Sequence, residues 1–177
     1  PAEVPYLAAP SLASDRFSTL QATTKFKVGL VWAGNPQHKN DLNRSIPLSR
    51  FAPLLATPNT AFFGLQVGPR SADLAQLTAN RPVDLSGSLR SFSDTAAVLN
   101  ALDLLISVDT SVVHLAGALG RPVWTLVPFV PDWRWLMDRD DTPWYPPMRL
   151  FRQPVIGDWD SAIQTVGREL ERLTAMR

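Results

Sequence analysis

One stretch near the middle of the chain constrains the fold most, because an apolar strand pattern passes directly into a helix pattern. The run from Leu104 to Val108 is largely apolar, and it ends abruptly at the polar triplet 109–111 (Asp-Thr-Ser). A helical pattern begins there and closes with Gly120 and Pro122, which are typical of a helix C-terminus. The stretch predicts a buried strand that feeds a helix with oxygen-bearing side chains in its first turn. In α/β proteins, anions and nucleotides bind at such a junction.

Strand and helix patterns alternate on both sides of this stretch. Strands are predicted at 26–32, 61–67, 83–85, 104–108, 123–127 and 148–152, and helical patterns fall between most of them. One helical pattern spans 48–55 despite Pro53, and another is predicted to be capped by the residues 93–95. The alternation predicts an α/β fold: a Rossmann-like, doubly wound parallel sheet with right-handed crossovers. Residues 1–25 are predicted to form an interdomain linker with a short helix near 14–22, and residues 26–177 to form one domain. Either part of 159–173 or the segment 4–7 is expected to be incompletely packed in the isolated domain.

Composition excludes several classes of protein. Of the 177 residues, 45% are hydrophobic and 19% charged, which indicates a folded globular chain. No apolar run approaches the roughly 20 residues of a membrane-spanning helix. The net charge of +1 and the lack of a basic cluster argue against nucleic-acid binding. There is no cysteine, which excludes disulfides and zinc–thiolate sites and fits a cytoplasmic location. Because the chain begins without Met or a signal peptide, we expect it to be a piece of a longer protein.

The polar triplet has two interpretations from the residues alone. The hydroxyls of Thr110 and Ser111, with the free N–H groups of the first helical turn, form a candidate diphosphate site. Alternatively, Asp109 or Thr110 is a plain N-cap that stabilises the helix by about 1 kcal/mol. The residue types and their spacing are compatible with both interpretations.

A second candidate site is the loop 34–45, which follows the first predicted strand. Gly34 permits close backbone approach, and many donors follow it. The alternative is that Gly-Asn-Pro at 34–36 marks only a turn. Neither the phosphate-binding P-loop pattern nor a Gly-x-Gly-x-x-Gly fingerprint is present. The donors of the loop are Asn35, Gln37, His38, Lys39, Asn40, Asn43 and Arg44.

A histidine and a tryptophan complete the candidates. His114 lies four residues after Thr110, so we expect it on the same helix face, looking toward the same crevice. It is either a hydrogen-bond donor to a phosphate or a hydrogen-bonded structural residue. In the Pro- and Trp-rich loop 128–147, Trp133 beside Arg134 either stacks on a base or sugar ring or belongs to an apolar cluster that pins the loop. No residue pattern requires a catalytic nucleophile, and none is typical of a metal site.

Several segments identify the chain as similar to a known family. The run LDLLISVDTSVVHLAGALGRPV at 102–123 resembles the glycosyltransferase family that includes the ADP-heptose:lipopolysaccharide heptosyltransferases, glycosyltransferase family 9. Segments 28–36, 43–48, 131–136 and 144–153 are similar too, so that the resemblance covers nearly all of 26–172. More narrowly, the chain resembles the C-terminal region of bacterial tetratricopeptide-repeat proteins that contain such a domain.

The resemblance implies a GT-B fold, two Rossmann-like domains with the active site between them, of which this chain is the C-terminal half. That half binds the nucleotide-sugar donor, and the family implies an inverting reaction without metal or other cofactor. The proposed base of the family lies in the N-terminal domain, so the fragment alone is expected to bind donor without turnover. Its expected partners are a nucleoside-diphosphate sugar, the N-terminal domain and a tetratricopeptide-repeat region, with no nucleic acid and no membrane span.

Residue roles follow from the same resemblance. The donor-binding motif falls on the residues from Asp109 to His114, although the heptosyltransferases usually have Gly where Ser111 stands. The first-strand loop, with either Lys39 or Arg44, would approach the phosphates, and Gln66 would reach the base or ribose. The complete candidate set for substrate binding is Gly34, Asn35, Lys39, Arg44, Gln66, Asp109, Thr110, Ser111, His114 and Trp133.

Two other functions are alternatives. The first is a non-catalytic ligand- or protein-binding module that derives from such a transferase domain and is attached to a repeat array. The second is a dehydrogenase-type dinucleotide domain, against which the missing glycine fingerprint argues.

Overall fold

A parallel sheet organises the structure, a computed structural model that describes residues 3–13 and 15–176. Within these residues the strands are β1 (Phe26–Val31), β2 (Thr60–Gly64), β3 (Val83–Asp84), β4 (Leu104–Val108), β5 (Val123–Val127) and β6 (Met148–Arg152). Their order is β3-β2-β1-β4-β5-β6, and every pair is parallel. The predicted Rossmann-like, doubly wound sheet is confirmed.

Helices cover both faces of this sheet. They are α1 (Ser18–Ala22), α2 (Asp41–Arg44), α3 (Ala52–Leu55), α4 (Phe92–Ala101), α5 (Ser111–Ala118) and α6 (Trp159–Ala175). Short 3₁₀ helices occupy Leu48–Phe51, Pro69–Gln76, Ser86–Ser88 and Trp133–Trp135. Among the described helices, none is both long enough and apolar enough to cross a bilayer.

Two helix starts differ from the sequence patterns. The pattern at 48–55 contains Pro53, which is tolerated because a 3₁₀ helix ends at Phe51 and Pro53 falls in the first turn of α3. Helix α4 was expected to be capped at 93–95, but its cap is Ser91, whose side chain accepts a hydrogen bond from the Asp94 N–H. The cap therefore lies two residues earlier than predicted.

The core lies on both faces of the sheet, which explains why the central strands are apolar throughout. In β4, Leu104 and Ile106 pack against the face covered by α3 and α6, whereas Leu105 packs against the face covered by α4 and α5. All three are buried. A strand that is covered on both faces needs apolar residues at every position rather than at alternate ones.

The N-terminal segment packs on the same domain. Phe17 and Leu20 are fully buried in the core beside α4 and α5, and α1 confirms a short helix here, although residue 14, where it was predicted to begin, lies outside the described residues. Further upstream, the backbone N–H groups of Tyr6 and Leu7 donate to the Ala118 carbonyl at 3.0 and 3.2 Å, while both side chains stay about half exposed. The segment was expected to be incompletely packed, and this exposure agrees with that expectation.

A glycine in α5 gives a stability prediction. A Cβ on Gly117 would lie 2.5 Å from Cδ1 of the Tyr145 ring, which is partly buried against the core and tilted against the His114 ring, so that it cannot move aside easily. We expect Gly117→Ala to lower the free energy of unfolding by about 2 kcal/mol through overpacking. The matched control is Gly167→Ala in α6, where a Cβ has nothing within 4 Å and should stabilise by roughly 0.5–1 kcal/mol. Urea denaturation of both variants measures this, and equal effects would contradict it.

Candidate functional site

The crevice lies where the strand order reverses, between the carboxyl ends of β1 and β4. The chain leaves β1 toward β2 and returns to β4 on the other side, and open α/β sheets bind ligands at such a point. Two cavities open here, and Arg44 lines both. The first cavity, about 450 Å³, lies between the ends of β1 and β2 and the start of α5. The second cavity, about 490 Å³, lies beside the loops after β4, β5 and β6.

The start of α5 faces the first cavity without a side-chain cap. Thr110 has the extended backbone of an N-cap residue, with φ −142° and ψ 173°, yet within the described chain its hydroxyl makes no capping hydrogen bond. That hydroxyl lies 3.4 Å from the Ser107 hydroxyl instead. Thr110 and Ser111 both line the cavity. Because Thr110 does not cap the helix, first-turn N–H groups stay available for an anion, which favours the diphosphate-site interpretation over the plain cap.

Arg44, rather than Lys39, is the candidate cation that the fold brings to the crevice. It is the last residue of α2, its side chain is 15% exposed, and its Nη1 donates to the Asp109 carbonyl at 3.1 Å. Its Nε is buried and lacks a hydrogen-bond partner within the described residues. Lys39 is exposed and lies outside the linings of both cavities. Of the two alternatives for the phosphate-side cation, the geometry favours Arg44.

Gly34 makes room for this arginine. A Cβ on Gly34 would lie 2.7 Å from Nη2 of Arg44 and 2.8 Å from Oδ1 of Asp41. The close approach that the sequence suggested is therefore made by the protein's own side chains. Asn35 is exposed at the rim of the first cavity, and its side-chain oxygen accepts a hydrogen bond from the Gln37 N–H at 3.0 Å.

Gln66 joins the ends of β1 and β2. It is 4% exposed, and its Oε1 accepts hydrogen bonds from the N–H groups of Trp32 at 3.2 Å and Ala33 at 2.9 Å. Its Nε2 donates to the Val67 carbonyl at 3.3 Å. Gln66 lines the first cavity, but these bonds engage its amide with the backbone. A contact with base or ribose remains a prediction.

His114 lines a third cavity, which we call the aromatic cavity. Its ring stacks on Trp135 with centroids 5.2 Å apart, and its Nδ1 lies 3.3 Å from the Tyr145 hydroxyl. The cavity, about 340 Å³, adjoins the second cavity because Arg134 lines both. His114 thus lies beside the crevice rather than in its centre. The cavity is lined by Tyr6, His114, Trp133, Arg134, Trp144 and Tyr145.

Burial changes the acidity of two groups in the aromatic cavity. It lowers the pKa of His114 from 6.5, against the opposing effect of the Asp109 carboxylate. The positive charge of Arg134 also lowers the pKa of His114, and the negative charge of Asp132 raises it. Burial and a hydrogen bond with Tyr6 raise the pKa of Tyr145 to about 12. At neutral pH the cavity therefore holds a neutral imidazole beside a neutral phenol.

Two tryptophans of the loop 128–147 differ in exposure: one is buried and pins the loop, and the other is available for stacking. Trp135 is fully buried and pins the loop to the core, as the structural interpretation expects. Trp133 is 70% exposed, stands edge-on to Trp144 with centroids 6.5 Å apart, and has the Arg134 guanidinium over its ring. Its face is available to a ligand. Within the described residues, no group of three or more His, Cys, Asp or Glu could hold a metal ion.

Sequence reasoning missed three residues of this region. Tyr6 and Tyr145 line the aromatic cavity from segments far apart in the chain, and no pattern relates them. Asp41 is buried at 3% exposure beside Arg44. One feature of the sequence indicated its role: Asp41 is a carboxylate in a loop, 34–45, whose other polar residues are mostly hydrogen-bond donors.

The fold and the crevice define a Rossmann-like α/β domain similar in structure to GT-B heptosyltransferases. The profile of Glycosyltransferase family 9 (heptosyltransferase) matches residues 65–128, from the end of β2 through β5. The matched stretch includes the candidate residues Gln66, Asp109, Thr110, Ser111 and His114.

Two solved structures are similar over most of the chain. Against ADP-heptose lps heptosyltransferase II of E. coli, the TM-score is 0.64 at 16% identity, over 99% of this chain and 56% of that one. Against E. coli heptosyltransferase WaaC with ADP, it is 0.53 at 18% identity, over 88% and 47%. Among curated proteins, Protein FlbA of Caulobacter vibrioides is 29% identical over 157 residues, which are 84% of this chain and 26% of FlbA. The chain thus spans about half of the heptosyltransferases and about a quarter of FlbA.

The uncapped start of α5 gives a prediction that separates a cap from an anion site. Because the Thr110 hydroxyl makes no capping bond, Thr110→Ala should lower the free energy of unfolding by less than about 0.5 kcal/mol. Ser91→Ala removes the real cap of α4 and should cost about 1 kcal/mol. Urea denaturation measures both variants, and a larger loss for Thr110→Ala would restore the plain-cap interpretation.

The lowered pKa of His114 predicts a pH-dependent stability. Below pH 6.5 the unfolded chain protonates His114 before the folded chain does. The free energy of unfolding should therefore fall as the pH drops through 6.5, and level off below the folded-state pKa. Denaturation from about pH 8 to about pH 5 measures it, with His114→Gln as the comparison that lacks this contribution. The same slope in both proteins would contradict the assignment to His114.

Proposed function

We propose that this chain is the donor-binding domain of a glycosyltransferase of family 9, the C-terminal half of a GT-B fold. It binds a nucleoside-diphosphate sugar and transfers no sugar alone. One observation supports this most directly: the uncapped start of α5 faces a cavity that Arg44 also lines. A helix N-terminus and a guanidinium together are suited to a diphosphate.

The comparisons support the same proposal. The family 9 profile matches the strand–helix unit that forms the crevice, and the similar WaaC structure is described as a heptosyltransferase with ADP. The chain covers 56% and 47% of the two heptosyltransferases, as expected for one half of a two-domain enzyme. We place the domain at 26–177, after the linker at 1–25, in a cytoplasmic bacterial protein with tetratricopeptide repeats.

In this proposal the chain stabilises the leaving group rather than activating the acceptor. The first-turn N–H groups of α5, with the hydroxyls of Thr110 and Ser111, receive the diphosphate, and Arg44 neutralises the charge that develops when the sugar leaves. The base belongs to the N-terminal domain, and no metal or other cofactor takes part. This chain therefore supplies no catalytic base or nucleophile.

The remaining candidates surround that centre. The rim at Gly34 and Asn35 borders the phosphates, while Gln66 borders the nucleoside end of the first cavity. Asp109 opens on the second cavity, and His114 and Trp133 on the aromatic cavity. We assign these last three to the sugar side of the donor.

Nucleotide binding tests the proposal. Calorimetry on the 177-residue chain should detect binding of at least one of ADP, UDP and GDP. Arg44→Gln should weaken that binding about tenfold or more, because it removes a charge-assisted contact to phosphate. Thr110→Ala should also weaken it.

The matched control is Arg50→Gln, which loses an exposed ion pair to Asp160, a pair outside the linings of both cavities, and should bind like the unmodified chain. Lys39→Gln decides between the two candidate cations, because only the cation that faces the phosphates should affect affinity. No binding across the whole panel would refute the proposed function. If the full-length protein binds donor but neither hydrolyses nor transfers it, the non-catalytic module becomes the better description.

A further inference from the structure

A buried carboxylate lies behind the crevice, between two arginines. The Asp41 side chain is 4% exposed, and its Oδ1 accepts a hydrogen bond from the Ser45 hydroxyl at 2.8 Å. Oδ1 lies 3.9 Å from Nε of Arg44, and Oδ2 lies 3.8 Å from Nη2 of Arg70. Neither ion pair is a hydrogen bond at these distances. Asp41 therefore attracts both guanidiniums electrostatically, while neither of these two N–H groups donates a hydrogen bond to its carboxylate.

Such a carboxylate is costly to bury. Removing a charge from water is repaid only by close pairing and hydrogen bonding, and a buried ion pair is weak evidence for stability. Arg44 Nε is buried and lacks a hydrogen-bond partner in the described chain, so the pair is not optimised for stability. The arrangement is better explained by what it does to the position of Arg44.

We propose that Asp41 is a positioning residue for the anion site: it holds the Arg44 guanidinium at the wall shared by the first and second cavities. The proposal rests on the proposed function, since the anion is the donor diphosphate. Arg44 has two fixed points, the Asp41 carboxylate beside Nε and the Asp109 carbonyl on Nη1 at 3.1 Å. With both in place, a long flexible side chain keeps one orientation before the ligand arrives.

The carboxylate is itself held by the loop after β1. The Gly34 N–H donates to Ser45 Oγ at 2.9 Å, and the Ser45 hydroxyl donates to Asp41. This chain of bonds connects the backbone beside the first cavity to the group that orients Arg44. Arg70 brings the loop after β2 toward the same carboxylate. Asp41 thus links the two loops that border the first cavity.

Charge and position predict opposite results when Asp41 is neutralised. Asp41→Asn removes a negative charge next to two arginines, so electrostatic attraction alone would make the crevice bind anions more tightly. Loss of a fixed orientation for Arg44 would make it bind a diphosphate less tightly. The sign of the change therefore separates a positioning role from simple charge neutralisation.

The experiment is calorimetry with ADP, UDP and GDP, and with inorganic pyrophosphate as a probe that lacks the nucleoside. Asp41→Asn should weaken the best of these ligands about tenfold, the loss typical of one charge-assisted contact. The matched control is Asp94→Asn, which breaks the Asp94–Arg16 pair outside the linings of the three cavities and should lower stability without changing affinity. Unchanged or tighter binding by Asp41→Asn would overturn the positioning role.

A double-mutant cycle tests whether Asp41 acts through Arg44. If it does, the variant with both Asp41→Asn and Arg44→Gln should bind no more weakly than Arg44→Gln alone, and additive losses would overturn the proposal. Ser45→Ala is a second variant in case Asp41→Asn does not fold, and it should also weaken binding because it releases the carboxylate. If the unmodified chain binds none of the probes, the proposed function and the positioning role both fail. If the unmodified chain binds and Arg44→Gln weakens binding, but Asp41→Asn and Ser45→Ala bind as well as the Asp94→Asn control, the positioning role alone fails.

Discussion

The reversal of strand order beside β1 is the constraint on which the rest of the structure depends. Parallel strands need right-handed crossovers, so the chain builds β2 and β3 on one side of β1 and then passes through α4 to build β4 on the other. The loops that follow β1 and β4 consequently turn away from each other. The backbone cannot close the gap between them, and a crevice at this edge is unavoidable.

Side chains border the gap that the backbone leaves open. Gln66 accepts hydrogen bonds from the N–H groups of Trp32 and Ala33, which would otherwise lack partners where β1 ends. Arg44 crosses from the β1 loop to the Asp109 carbonyl at the end of β4. These two side chains tie β1 to both of its neighbours, so the walls of the first cavity are held in place without a ligand.

Much of the fold followed from periodicity, and much of the site did not. The stretch that contains β4 and α5 was predictable because its apolar run, its polar triplet and its Gly–Pro ending all agree. Whether Thr110 caps α5 could not be predicted. A threonine at this position can make the capping hydrogen bond, but its residue type does not determine whether it does. Trp133 and Trp135 are two residues apart with equal hydrophobicity, yet one is exposed and the other buried, since a single 3₁₀ turn points them in different directions.

The role proposed for Asp41 shows why such a site is hard to recognise from its residues. In the sequence, Asp41 interrupts a loop of donors and counts against an anion site, because a carboxylate repels phosphate. In the fold it is buried behind Arg44, where it attracts the guanidinium. Arg70, its other ionic partner, is 29 positions away in the chain, and only the pairing of β1 with β2 brings it near. The sign of a charge in a loop therefore does not show which ligand the loop favours, unless it is also known whether the charged group faces the cavity or is buried behind it.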